Sequence, residues 1–295
     1  MHSNVHTKIL DVARELRDFF VYQETQETEF AIFLCGGATT NKSMIRHEVR
    51  ARIEAKRSKY TYRVQYPEDL FIEIMLGHQR ESLLELENLL ADSVSAVAII
   101  TESPGTLVEL GAFSNHNSLC RKLIVILDDK YRTDRSFVNM GPVRRLKKSP
   151  PSKVIYESLK ASSAQRIADQ ICEGARAIAA ELPVSRELNN PITAARFYLA
   201  LIYIFDPISL QDVLRIAEAL SEGDIAISNV AQMVITKQIG DGLVTNSPKG
   251  LSTTRAAKTY LIDQNHTKRK ASEVSGFLMK VRTQAINAVC RRRLL

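Results

Sequence analysis

The chain has 295 residues, 45% hydrophobic and 25% charged, with 40 Lys and Arg against 33 Asp and Glu for a net charge of +7. At about 150 residues per domain this gives roughly two domains, each able to bury a core. The absence of Trp and an aromatic content of 6% argue against an aromatic-rich β-sandwich, and no apolar run, Phe197–Phe205 included, approaches the ~20 residues that cross a bilayer.

Residues Thr7–Tyr22 carry Ile9, Leu10, Val12, Ala13, Leu16, Phe19 and Phe20 at helical spacing. Phe30–Cys35 is a continuous apolar run ending at Gly36 and Gly37, the pattern of a strand buried on both faces, and a helix over Lys42–Arg57 follows. A second strand at Tyr62–Tyr66 ends in Pro67, Glu68 and Asp69, and a helical stretch at Leu83–Leu90 leads to a third at Ala96–Ile100. Thr101–Gly105 closes that strand, a helix runs over Thr106–Asn115, and Lys122–Leu127 supplies a further strand. This alternation predicts a doubly wound, Rossmann-like parallel α/β sheet.

An amphipathic helix at Ala164–Ala180 brackets the sheet, and the Leu182–Pro191 stretch reads as a linker, dividing the chain into 1–188 and 189–295. Helices at Ala194–Phe205, Leu210–Leu220 and Asn229–Gln238 precede a hairpin: a β run at Gly242–Thr245, a turn through Asn246, Ser247, Pro248, Lys249 and Gly250, and a second polar run. In a basic region this predicts a mostly helical winged helix-turn-helix domain with Asn229–Gln238 as recognition helix. Lys237, Lys249, Arg255, Lys258, Lys268, Arg269 and Lys270 then lie where helix, wing and following segment meet a nucleic-acid backbone. Cations also collect at Arg121–Lys148, either a second polyanion surface or a solvated face.

Ligands on such sheets bind at the carboxyl ends of the strands, where Cys35-Gly36-Gly37, Glu68-Asp69 and Ser103-Pro104-Gly105-Thr106 should converge. The small residues let a backbone approach a ribose or phosphate, and Glu109 follows one turn into the helix. Complementing the helix dipole is the plain role for Glu109. Sharing a cleft with Glu68 and Asp69 gives another: one carboxylate attacks an anomeric carbon while a second group handles the departing base. Cys35, a thiol at a strand end, reads first as a small buried hydrophobe and only second as a reactive group, and Ser114 and Asn115 either touch ligand or form helix surface. His47, His78 and His116 lack metal-ligand spacing, so neither metal nor cofactor is expected. Four cysteines without CxxC spacing and no secretory segment predict reduced thiols in a soluble, cytoplasmic protein.

The stretch ESPGTLVELGAFSN, preceded by AIFLCGGA and YPEDLF and followed by RKLIVILDDKYRTDRSFVNMGPVRRL, resembles the effectors of retron antiphage systems that carry a nucleoside deoxyribosyltransferase-like domain. The likeness is close from Phe30 to about Leu146 and looser beyond, where those effectors carry a winged helix. It implies a toxin held with a retron reverse transcriptase and its RNA-linked single-stranded DNA, assembled into repeating complexes, and hydrolysing NAD+. Glu109 matches the glutamate that forms the covalent glycosyl intermediate, Asp69 an acidic residue near the base, and Gly36 and Gly37 the first-strand loop. Typical deoxyribosyltransferases have an Asp where Ser103 stands beside Glu102; its loss favours a ribose substrate over deoxyribose exchange. Three alternatives stand beside this reading: a (deoxy)nucleoside N-glycosidase or transferase, a lysine-decarboxylase-like nucleotide enzyme whose doubled glycine and arginine are absent here, and a ligand-sensing DNA-binding regulator.

Overall fold

The computed structural model describes residues 2–23, 29–38, 40–41, 43–56, 58–66, 93–184, 187–221, 225–263 and 268–290. They form two compact units, one of Glu27–Ser185 and one joining Met1–Gln26 to Arg186–Leu295. Helix α1 (His2–Asp18) therefore belongs with the C-terminal helices, although sequence order groups it with the sheet. Its apolar stripe, Val12, Ala13, Leu16 and the following Phe20, is buried there.

The sheet unit contains β1 (Glu29–Cys35), α2 (Ile45–Glu54), β2 (Thr61–Gln65), β3 (Ala96–Ile100), α3 (Pro104–Asn115), β4 (Leu123–Asp128), β5 (Lys153–Glu157) and α4 (Ala164–Glu181). The five strands are parallel in the order β2-β1-β3-β4-β5. The expected Rossmann-like α/β class is what forms, and the central strands are apolar throughout because both faces are covered. On one face Ile32, Leu34, Val64, Ala98, Ile100, Ile124 and Ile126 pack with Ile45, Val49 and Ile53 of α2 and Ile167, Ile171 and Ile178 of α4. The alternate residues Phe33, Val97, Ile99, Leu123 and Val125 are fully buried on the other. Each such side chain contributes about 1.5–3 kcal/mol of transfer free energy. Helix α2 is shorter than expected, α3 starts at Pro104 rather than Thr106, and β5 had no counterpart in the sequence reading.

In the other unit, α5 (Pro191–Phe205) is apolar all round, and Phe197, Tyr198, Leu199, Ala200, Leu201 and Ile202 are inaccessible to solvent. The Asn190 side chain caps it by accepting from Ile192 N at 2.8 Å. Then come α6 (Leu210–Ser221), α7 (Ile225–Gly240), the antiparallel pair β6 (Val244–Ser247) and β7 (Gly250–Thr253), α8 (Arg255–Asp263) and α9 (Lys268–Cys290). The hairpin turn is confined to Pro248 and Lys249, so Asn246, Ser247 and Gly250 are strand residues. Ile208, between α5 and α6, pairs with Leu251 through bonds of 3.1 and 2.7 Å and makes a one-residue third strand. Gly250 has φ of 119°, and a Cβ there would lie 2.7 Å from the Ile208 carbonyl oxygen.

Candidate functional site at the carboxyl ends of the strands

The strand order puts the switch of direction between β1 and β3, the crevice where doubly wound sheets take ligands. Here the crevice is bridged by Glu102, the second residue past β3. Its Oε1 accepts from Gly37 N at 2.9 Å and Arg46 N at 3.3 Å, and its Oε2 from Ile45 N at 2.7 Å. The N-cap residue of α2, Met44, supplies no side-chain cap, so the helix start takes its acceptor from 57 residues away. Gly36 and Gly37 are glycine for the same reason. A Cβ on Gly36 would fall on Arg46 Cδ and lie 2.7 Å from Glu102 Oε1, and one on Gly37 would strike Met44. Cys35, just before, is buried.

Across the crevice, Ser103 is the extended N-cap of α3 and Pro104 its first residue, the position where a missing N–H costs nothing. Thr106 is fully buried; its hydroxyl donates to Ser103 O at 2.6 Å and accepts from Ser103 N at 3.3 Å, which closes the turn. Gly105 is exposed, and among the described residues a Cβ there would meet only Ser103 Oγ at 3.9 Å. With the helix starting at Pro104, Glu109 lies in the second turn, four residues beyond Gly105 on the same face. Helical side chains lean toward the N-terminus, the direction in which Gly105 lies from Glu109, and Glu109 Oε2 is screened from solvent. Ser103, Pro104, Gly105, Thr106 and Glu109 thus share one end of α3, tied through Glu102 to Gly36 and Gly37. Asn115 is at the other end, about 15 Å along the axis from Gly105. Ser114 is buried, its hydroxyl donating to Gly111 O at 3.1 Å. Glu68, Asp69, His78 and the Leu83–Leu90 stretch lie outside the described residues.

Sequence reasoning missed Glu102 and Arg46. Arg46 is wholly buried with its guanidinium 4.5 Å over the Tyr66 ring, while Arg50 sits 4.7 Å from the same ring and the Tyr66 hydroxyl meets His47 Nδ1 at 3.0 Å. Burial pushes the Tyr66 phenol up against the opposing pull of Arg50. The available signals were a carboxylate two residues past a buried strand end and arginines four apart on a short helix.

In the other unit, Lys249 is exposed at the hairpin tip, Arg255 and Lys258 are exposed on α8, and Lys237 pairs with Asp241 at 3.1 Å. Helix α7 exposes Asn229, Gln232 and Thr236 at spacings that share a face. Lys268, Arg269 and Lys270 start α9, their side chains outside the description. Among the described residues no group of His, Cys, Asp and Glu is placed to hold a metal, and no helix is long and apolar enough to cross a membrane.

The pattern defining the STM3845 retron effector protein matches residues 42–243, more than half of the chain. An Escherichia coli retron Ec86 protein, whose name proposes a ribosyltransferase and DNA-binding protein, is 31% identical over 264 residues, covering 84% of this chain and 85% of its own. The retron Ec73 counterpart, also from Escherichia coli and named in the same way, is 27% identical over 117 residues, covering 39% and 37%.

Proposed function

The chain belongs to the family of the STM3845 retron effector protein, and on that premise we propose that its sheet unit cleaves the N-glycosidic bond of a nucleotide, NAD+ foremost, with Glu109 as nucleophile. The observation that supports the reading is the position of Glu109 one helical turn beyond exposed Gly105, in the helix that follows β3. An oxygen of Glu109 bonds to the anomeric carbon as the glycosidic C–N bond breaks. In NAD+ the leaving nicotinamide nitrogen is already cationic, so it departs neutral without a proton. Water then opens the glycosyl ester, releases ADP-ribose and returns the carboxylate. A neutral purine or pyrimidine would need an acid, the role to which Asp69 is assigned.

In this proposal the effector is a toxin of antiphage defence, restrained by a retron reverse transcriptase and its RNA-linked single-stranded DNA in a higher-order assembly. A winged helix formed by residues 189–295 docks it to nucleic acid. Support comes from the order helix, bridge residue, two helices, hairpin and helix, from the polar face of α7, and from the relatives' names. Lys249, Arg255, Lys258, Lys268, Arg269 and Lys270 are its phosphate contacts, with Lys237 at the end of α7.

The test is expression with and without the cognate reverse transcriptase, with nucleotides followed by mass spectrometry. NAD+ should fall only when restraint is removed, and Glu109→Gln should abolish the loss. Undiminished loss in the Glu109→Gln variant rejects the nucleophile. Intact NAD+ with free bases accumulating from deoxynucleosides assigns a deoxynucleoside N-glycosidase instead, and base exchange that needs an added acceptor base assigns the transferase.

A further inference from the structure

We propose that Glu102 is a resident anion filling the phosphate seat of the β1/β3 crevice, so that a nucleotide enters this site by its sugar and leaves its phosphates outside the β1–α2 turn. The second clause rests on the function proposed above, and the first stands without it.

A parallel sheet of this order offers an anion one seat above all others: the turn after its first strand, where a glycine lets backbone come close and a helix N-terminus brings free N–H groups and the positive end of its dipole. Every component of that seat is present and directed at a side chain. Gly37, Ile45 and Arg46 turn their N–H groups onto the two oxygens of Glu102. The space that glycine leaves at position 36 is taken by Arg46 and Glu102. No local residue caps α2, whose N-cap is Met44, so the carboxylate is the acceptor the helix start uses. A phosphate in the same place would lose these donors to Glu102 and face its charge. The α3 side of the crevice differs: Gly105 is exposed, and among the described residues nothing is nearer to a Cβ there than Ser103 Oγ at 3.9 Å. As the described residues form it, the crevice is closed to an anion on the β1 side and open on the β3 side. A sugar can lie against Gly105 and Glu109 while phosphates extend to solvent or to a partner.

The test uses the full-length chain, isotope-labelled, with inorganic phosphate and formate as probes and amide resonances as readout. In the wild type the Gly37, Ile45 and Arg46 amides should not respond to either anion at millimolar concentration. In Glu102→Ala the same three amides should shift on titration, and formate should raise the thermal midpoint of this variant but not of the wild type. The variant should also bind AMP about tenfold more tightly relative to adenosine than the wild type does, the worth of one charge-assisted hydrogen bond. Phosphate-dependent shifts of these amides in the wild type would overturn the proposal, as would a folded Glu102→Ala that ignores both anions. If Glu102→Ala does not fold, Glu102→Gln and the wild-type titration decide. None of these readouts requires turnover, so their outcome is separable from whether NAD+ is the substrate.

Discussion

Phe19, just past α1, stacks face to face on Phe277 of α9, with ring centroids 3.8 Å apart and planes 9° from parallel. Lys280 and Glu15 add an exposed ion pair at 2.9 Å between the same helices, worth little by itself. Phe277→Ala should lower the stability of this unit by about 2 kcal/mol, from lost area and lost stacking on half-buried rings. Urea unfolding followed in Phe19→Ala, Phe277→Ala and the double variant measures it. The double should cost less than the sum of the singles; strict additivity would show the rings to be uncoupled.

Two glycines of the crevice should respond oppositely to one methyl group. Gly36→Ala drives a Cβ into Arg46 and Glu102 and is expected to destabilise the fold by about 2–3 kcal/mol. Gly105→Ala, inside a helix, clashes with none of the described residues and should be neutral or stabilising by up to ~1 kcal/mol. Thermal melts give both numbers. Any activity that Gly105→Ala loses while its melting point holds is then a ligand contact, and full activity would remove Gly105 from the substrate pocket.

Burial raises the Cys172 thiol from its ordinary 9.0 to about 11, and burial likewise pushes the Tyr62 phenol to about 12. Both groups hold their protons more tightly folded than unfolded. Their contribution is complete below the unfolded values and is lost as pH rises toward the folded ones. Stability should therefore fall steadily between about pH 9 and 12, and Cys172→Ala should flatten the part of that decline between about pH 9 and 11. At pH 8 iodoacetamide should leave Cys172 unlabelled in native protein; rapid native alkylation at this position would contradict its burial.

The hairpin tip gives a graded test of the proposed nucleic-acid face. Lys249→Ala should weaken binding to any sequence and reduce the slope of log affinity against log salt by about one phosphate contact. Gln232→Ala on α7 should leave the slope intact and change only discrimination between sequences. Fluorescence anisotropy over a salt series separates the two, and an unchanged slope in Lys249→Ala would take the hairpin off the backbone.

What was legible in the residues is what local pattern determines. β1, β3 and β4 are continuous apolar runs because both their faces are covered, and they stand where hydrophobic runs place them. β5 escaped because an edge strand is only half-buried and KVIYE carries a charge at each end. The start of α3 moved back to Pro104 because proline, a breaker inside a helix, is well suited to its first position. Glu102 was invisible for a different reason: its donors lie on another strand's turn and another helix, and no local window holds them together. An amphipathic stripe shows that α1 buries a face and says nothing of which partner covers it.

The unit containing α1 is discontinuous in sequence, and synthesis must cross residues 27–185 before its remaining helices exist. At about 5–20 residues per second this leaves the apolar stripe of Val12, Ala13, Leu16 and Phe20 waiting on the nascent chain for roughly 8–30 s. The sheet, whose strands are all made within that interval, completes first on the ribosome. A messenger cut short after residue 185 would deliver the candidate nucleophile without the unit proposed to dock it to nucleic acid, so faithful completion of each polypeptide becomes part of the proposed restraint.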